Sequence, residues 1–403
     1  MKLQPGPVPP PVKGFRFAGV HGGLKNRGRR DFALIVADKP ATCAAAFTRN
    51  AAAAAPVRVA REHVRGGQAQ AVMINSGNAN AGTGDKGLKF AEWSCRELAS
   101  RLSVDPRLVV PCSTGVIGVQ LDRTPFARAI SLGVDGLSKK AFSAAARAIM
   151  TSDAFPKWSH RAVRVGRGDV CVAGMAKGAG MICPHMATML AFVMTDASLG
   201  VAAAKSILSA GVETTFNRIS VDGDTSTNDT VILLASGQAA GETIEDAGSP
   251  GYEAVAGAIH AVMNDLARFV VTDGEGAEHV VDVVVEGASD DAAADTIARA
   301  ITGSVLFRCA VGGADPNWGR IVCAIGNSGV DCDVDGIAID VDDVALVRDG
   351  VLVSAEAARM ARKVMRREVY PLRIRVGRGS GKATIVTSDL TAAYVRFNSA
   401  YTS

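Results

Sequence analysis

Residues able to do chemistry gather in one stretch, Lys177 to Ala197, which reads KGAGMICPHMATMLAFVMTDA. A glycine-containing turn runs into an apolar segment that opens abruptly on a hydroxyl, Thr188, with the small Ala187 just ahead of it. A threonine hydroxyl is a poor nucleophile at neutral pH and needs a base within hydrogen-bond reach. The histidines supply no base motif: His185 is close in the chain, while His21, His63, His160, His260 and His279 stand alone. The threonine can supply the base itself. If the peptide bond before Thr188 is cut, the freed α-amino group has an ordinary pKa of about 7.7–8.0. A small downward shift on burial makes it a competent base at pH 7, and Thr paired with its own amine is a known nucleophile–base pair. Such a protein is made as a precursor and cuts itself. Ala187 leaves the scissile carbonyl accessible, and Gly178 and Gly180 admit the backbone conformations of a strained cleavage loop. The structural alternative is a threonine that merely begins a strand and bonds to backbone.

Two other chemistries fail on spacing. Lys177 before glycines suggests a phosphate contact, but GAGMICPH lacks the G-x-x-x-x-G-K-[ST] order of a phosphate-binding loop. Cys183 and His185 could ligate a metal, but no second pair stands at ligand spacing, so no metal site is expected.

The elements that must hold Thr188 are partly legible. Met189 to Met194 and Val170 to Ala173 read as strands, as do Phe32 to Ala37, Ala71 to Asn75 and Val231 to Ala235. Leu108 to Val110 reads as a short strand running into a Ser/Gly-rich loop, PCSTGVIGV. Apolar residues at Leu88, Phe90, Ala91, Cys95, Leu98 and Leu102 predict an amphipathic helix from Lys86 to Leu102. Ala203 to Phe216 and Asp290 to Ile301 suit helices, and Ser354 can cap another running to about Arg367. LRIRV and ATIV near the C-terminus alternate as strands. Residues 1–13 look like a loose, proline-rich arm. The mixture says α/β or α+β and fixes no topology.

Composition narrows the class. The chain has 403 residues, 48% of them hydrophobic, enough for a large core. Lys+Arg 44 against Asp+Glu 40 gives a formal +4, and aromatics are 5%; neither favours a nucleic-acid partner. The eight cysteines form no C-x-x-C pair and read as reduced thiols of a cytoplasmic protein. The N-terminus has no signal-peptide pattern, and no uninterrupted apolar window has membrane-spanning length.

The Lys177–Ala197 stretch resembles the signature of the ornithine acetyltransferase family, also called glutamate N-acetyltransferase. INSGNANAGTG (Ile74 to Gly84), STGVIGVQL (Ser113 to Leu121), IMTSDAFPK (Ile149 to Lys157), TFNRISVDGDTSTNDT (Thr215 to Thr230), TDGEGA (Thr272 to Ala277), DPNWGRI (Asp315 to Ile321) and the terminal YVRFNSAYTS look like family blocks in family order. The resemblance implies a self-processing, N-terminal-nucleophile-type α/β sandwich. It places the cut between Ala187 and Thr188, giving an α chain of residues 1–187 and a β chain of 188–403, which usually associate as α2β2.

The implied reaction is ping-pong acetyl transfer. Thr188 Oγ takes acetyl from N2-acetylornithine, ornithine leaves, and glutamate's amine resolves the acetyl-enzyme to N-acetylglutamate. No cofactor is implied, although some family members also accept acetyl-CoA as donor. Thr114 and Gly115 match the family's oxyanion hole, and Lys177, Glu275, Asn398 and Ser403 its substrate contacts. The family often has a threonine where Ala154 stands, which costs one hydroxyl contact. His185 stands where Asn is usual, and Asp122 where proline is frequent. A rival reading on the same fold is an autoprocessed aminopeptidase or amidase, in which water resolves the acyl-enzyme; Lys177 and Glu275, suited to an amino acid's carboxylate and amine, argue against it. A non-catalytic binding protein is a third reading, opposed by the joint presence of Thr188, Thr114, Gly115 and Lys177.

Overall fold

A computed structural model describes every residue except 1–2, 26–27, 167, 184–188 and 401–403. Two mixed sheets and their helices make up an α/β architecture. The N-terminal sheet has eight strands among the described residues. Its central members are Phe32–Phe47, Thr230–Ala235, Leu190–Thr195 and Gly168–Lys177. Leu190–Thr195 runs parallel to Thr230–Ala235 and antiparallel to Gly168–Lys177. The strand that begins just after Thr188 therefore lies inside the sheet, flanked on both sides.

Its sequence explains that place. Leu190, Phe192 and Met194 pack into one hydrophobic cluster, Ala191 and Val193 into another on the opposite face. A strand buried on both faces needs an unbroken apolar run rather than alternation, which is what LAFVMT supplies. One of those faces is covered by helices Val201–Thr214 and Tyr252–Thr272. The latter is long and apolar enough to cross a membrane by length and composition, and most of it is buried in this core.

The second sheet has seven strands among the described residues, with Val369–Arg375, Val280–Ala288 and Gly381–Ser388 at its middle. Val281, Val283 and Val285 face their own cluster beneath helices Asp291–Gly303, Val305–Gly312, Trp318–Gly326 and Ala355–Met365. The buried Arg308 ties this unit to the first: its guanidinium donates to the carbonyls of Val221, Ser388 and Asp389.

The strands and helices expected from patterning are present, with shifted ends. The Ser354 cap holds, its Oγ accepting from the Ala357 N–H at 3.0 Å. Asp122 caps the helix Arg123–Asp135 by accepting from the Thr124 N–H at 2.8 Å, a role that accounts for a carboxylate at that position. Two expectations are corrected. Ser113 to Val116 is not loop but the end of the strand Val109–Val116, held in parallel register by Gln68–Asn78. The N-terminal arm is not loose along its length: Val12 is buried, and Trp158 Nε1 donates to the Gly6 carbonyl at 2.9 Å.

Candidate active site

Five segments distant in sequence meet around a cavity of about 280 Å³, whose lining includes Thr114, Gly115, Lys177, Gly180, Glu275 and Asn398. Register puts Lys177 there. It pairs with Leu190 across one ladder, and Leu190 pairs with Thr230 across the next. Lys177 and Asp229 therefore flank the head of the strand that Thr188 precedes. Ala187, Thr188 and His185 themselves lie outside the described residues, as does Ser403.

Gly115 must be glycine. Its φ is +134°, and a Cβ would fall 2.3 Å from the Gly77 carbonyl carbon. Only the absent side chain lets the two strand ends close together here. The Thr114 hydroxyl accepts from Lys177 Nζ at 3.2 Å. Gly180 makes room on the opposite wall, since a Cβ there would meet the Glu275 carboxylate at 2.7 Å. The Glu275 carboxylate accepts from Asn398 Nδ2 at 3.0 Å, and the Glu275 N–H donates to Ala179 O at 2.8 Å. Asp222 fixes the same turn by accepting from the Ile182 N–H at 2.7 Å.

Two lysines in this wall are buried in different ways. Lys157, 0% exposed, bonds Asp153 at 2.6 Å and Asp273 at 2.5 Å. Lys177, 3% exposed, has no ion pair among the described residues, only the Thr114 hydroxyl. Burial pushes the Lys177 ammonium below its ordinary value; Asp153, Asp229 and Glu275 oppose this, and Lys157 adds to it. A desolvated cation of this kind is matched to an incoming carboxylate.

Asp153 organises the wall. One oxygen accepts from Lys157 and from the Gly178 N–H at 2.7 Å, the other from the Thr151 N–H at 2.8 Å. Burial alone would raise its pKa, but Lys157, Lys177 and the Gly178 N–H outweigh that and hold it well below the usual carboxylate range. Asp229 is the opposite case. It is fully buried and accepts from the Met189 N–H at 3.0 Å, and its other oxygen has no hydrogen-bond partner among the described residues. Burial raises it well above the ordinary range, against the Met189 N–H and Lys177.

Of the expected site residues, the structure brings Thr114, Gly115, Lys177, Glu275 and Asn398 to one cavity. Ala154 does not line it. Its N–H instead donates to Asp273 at 3.0 Å, and the hydroxyl residues on that wall are Thr151 and Ser152. Sequence reasoning missed Lys157, Asp153, Asp273, Asn228 and Asp229. The only signal was that all five sit inside the conspicuous blocks. A larger cavity of about 400 Å³, beside Arg49, Lys205 and Glu213, contains none of the expected residues.

Compared with known proteins, residues 16–403 match the ArgJ family. The arginine biosynthesis bifunctional protein ArgJ of Rhizobium meliloti (strain 1021) is 44% identical over 397 residues, covering 98% of this chain and 96% of that protein. The protein of the same name from Geobacter sulfurreducens is 43% identical over 390 residues, covering 97% and 99%. The crystal structure of the arginine biosynthesis bifunctional protein from Bacillus halodurans aligns with a TM-score of 0.50 at 37% identity, covering 52% of this chain and 98% of that one.

Proposed function

The chain belongs to the ArgJ family, acetyltransferases of arginine biosynthesis, and on that premise we propose how its own residues carry the transfer. Thr188 is the nucleophile. It is exposed by a cut after Ala187, and its freed α-amine is the base. The enzyme then consists of residues 1–187 and 188–403, associated as α2β2 in the cytoplasm. A solved relative whose chain covers 52% of this one supports a two-chain enzyme.

In the first half-reaction, Thr188 Oγ attacks the acetyl carbonyl of N2-acetylornithine and its proton passes to the α-amine. The C–O bond forms, and the carbonyl oxygen becomes an oxyanion facing donors at Thr114 and Gly115. Collapse breaks the C–N bond, the amine returns the proton, and ornithine leaves. Glutamate's amine reverses these steps on the acetyl-enzyme and departs as N-acetylglutamate. Acetyl-CoA, where used, enters as a second acetyl donor and not as a bound cofactor. Lys177 receives the substrate carboxylate. Glu275, steadied by Asn398, receives the ornithine ammonium, and Ser403 is the further substrate contact that the family resemblance implies. Ala154 contributes no hydroxyl; Thr151 and Ser152 take that wall.

One observation carries this reading: the desolvated Lys177 and the Thr114–Gly115 strand end converge at the head of the strand that follows Thr188. The direct test is ornithine release from N2-acetylornithine with and without glutamate. Release that depends on glutamate, with matching N-acetylglutamate, is expected. Equal release without glutamate favours the amidase reading.

A further inference from the structure

The block INSGNANAGTG and the TSTNDT segment are left without a role by the mechanism above, and both converge on the strand end that carries Thr114. Asn228, largely buried, donates from Nδ2 to the carbonyls of Ser113 at 2.9 Å and Ala79 at 2.7 Å, and its Oδ1 accepts from the Thr227 hydroxyl. Both ends of the amide are thus committed. From the other side, Ser113 Oγ donates to Asn75 Oδ1 at 2.6 Å, and Asn75 Nδ2 to the Asn78 carbonyl at 2.9 Å.

In a trans peptide the C=O and the following N–H lie in one plane and point opposite ways. Fixing the Ser113 carbonyl therefore fixes the direction of the Thr114 N–H. The next residue, Asp229, holds the Met189 N–H at 3.0 Å, and the Met189 carbonyl accepts from the Thr230 N–H at 3.1 Å. The Met189 N–H shares its peptide group with the Thr188 carbonyl.

We infer that Asn228 and Asp229 are positioning residues which set the spacing between the oxyanion donors and the head of the strand that follows the nucleophile: Asn228 holds the Ser113 carbonyl, and Asp229 the Met189 N–H. Because the two are adjacent in the chain, the separation of these tethers is fixed within one dipeptide. This rests on the roles given above to Thr188, Thr114 and Gly115.

The test uses the full-length enzyme with N2-acetylornithine and glutamate. Misplacement by about 1 Å can cost about 10²-fold in rate. Asn228→Ala and Asp229→Ala are therefore each expected to lower kcat by roughly ten- to a hundredfold, with KM for N2-acetylornithine held within about threefold. Asn228→Asp gives a signature that a merely structural role does not. Its ionised carboxylate repels the two carbonyls, while its protonated form donates to one of them. The ratio of variant to wild-type kcat therefore rises as pH falls. Lys177 is common to both enzymes and drops out of the ratio; Asp229, next to the new carboxylate, titrates together with it, so the ratio reports the two carboxylates as a pair. A ratio flat with pH, or wild-type kcat in a folded Asn228→Ala enzyme, overturns the inference. If Asn228→Ala does not fold, the pH ratio decides. Thr188→Ala separates the two levels: transfer surviving in that variant removes the nucleophile assignment itself, whereas its loss alongside full activity in the Asn228 variants removes only the positioning role.

Discussion

The two sheets bury different kinds of residue. Around the first, the buried charges are Asp31, Asp153, Lys157, Lys177, Asp196, Asp229 and Asp273. Beyond Val280, among the described residues, only Arg308 and Asp389 are buried charges, and both sit where the units join. The second sheet's core is valine, isoleucine and alanine packed against helices. Burying a charge costs several kcal/mol unless it is paired, so a fold seeking only stability avoids it. The first sheet concentrates that cost in Asp153, Lys157, Lys177, Asp229 and Asp273 near the head of the strand after Thr188; Asp31 instead holds the Gly22–Lys25 turn, and Asp196 follows the strand's other end, accepting from the Cys171 N–H. The contrast sets the first unit, which holds most of the buried charges around the candidate site, apart from the second, whose core is packed from apolar residues.

The sharpest way to break this comparison is to remove a charge partner. Asp153→Ala leaves Lys157 with Asp273 alone beside the unpaired Lys177, and should destabilise the protein by about 3–5 kcal/mol, read by denaturant unfolding. A cost under 1 kcal/mol would show that the cluster is looser than drawn.

Next in size is Lys177→Met. It removes the desolvated cation without opening a cavity, so unfolding stability should hold or rise while kcat/KM for N2-acetylornithine falls by about 10²-fold or more, as loss of a charged contact worth roughly 3 kcal/mol would give. Equal losses of stability and activity would make Lys177 structural.

The smallest effect belongs to the second sheet. Ile339→Val should cost about 0.5–1.5 kcal/mol of stability and leave kcat unchanged. A change in kcat would show that the packing of the second sheet's core bears on the site.

Acid titration separates the carboxylates. Asp153 has a lowered folded pKa, so its contribution is complete above the ordinary carboxylate value of about 3.9 and is lost as pH falls through that value toward the folded one. Asp229 has a raised folded pKa, so its contribution is present at low pH and is lost as pH rises from the ordinary value through the raised one. Asp153→Asn should flatten the acid limb of the stability curve, and Asp229→Asn should flatten a loss on the rising side. The check is urea unfolding at a series of pH values.

Much of this was readable from sequence, for identifiable reasons. A doubly buried strand leaves an unbroken apolar run, and LAFVMT showed one. Ser354 announced its helix because a cap acts over three residues. Thr188 stood out because a hydroxyl opens that run. The buried lysine was not readable: Lys157 opens a strand after a proline and, read locally, is a solvated residue. What buries it is Asp273, which is 116 residues away in the chain. Asn228 gave no hint either, since its partners Ser113 and Ala79 lie 115 and 149 residues off. Side-chain pairs at such separations have no periodicity to betray them. The wall hydroxyls lie just before the position the resemblance pointed to: Thr151 and Ser152 line the cavity, while Ala154 turns its amide to Asp273.

The central claim is that Thr188 becomes the acetyl carrier by heading its own chain. Denaturing intact-mass spectrometry of the purified protein, with and without N2-acetylornithine, tests it most directly. The account predicts two fragments that divide between Ala187 and Thr188, with one acetyl increment on the fragment that Thr188 opens after substrate is added. A single uncut chain that gains no acetyl group would contradict it.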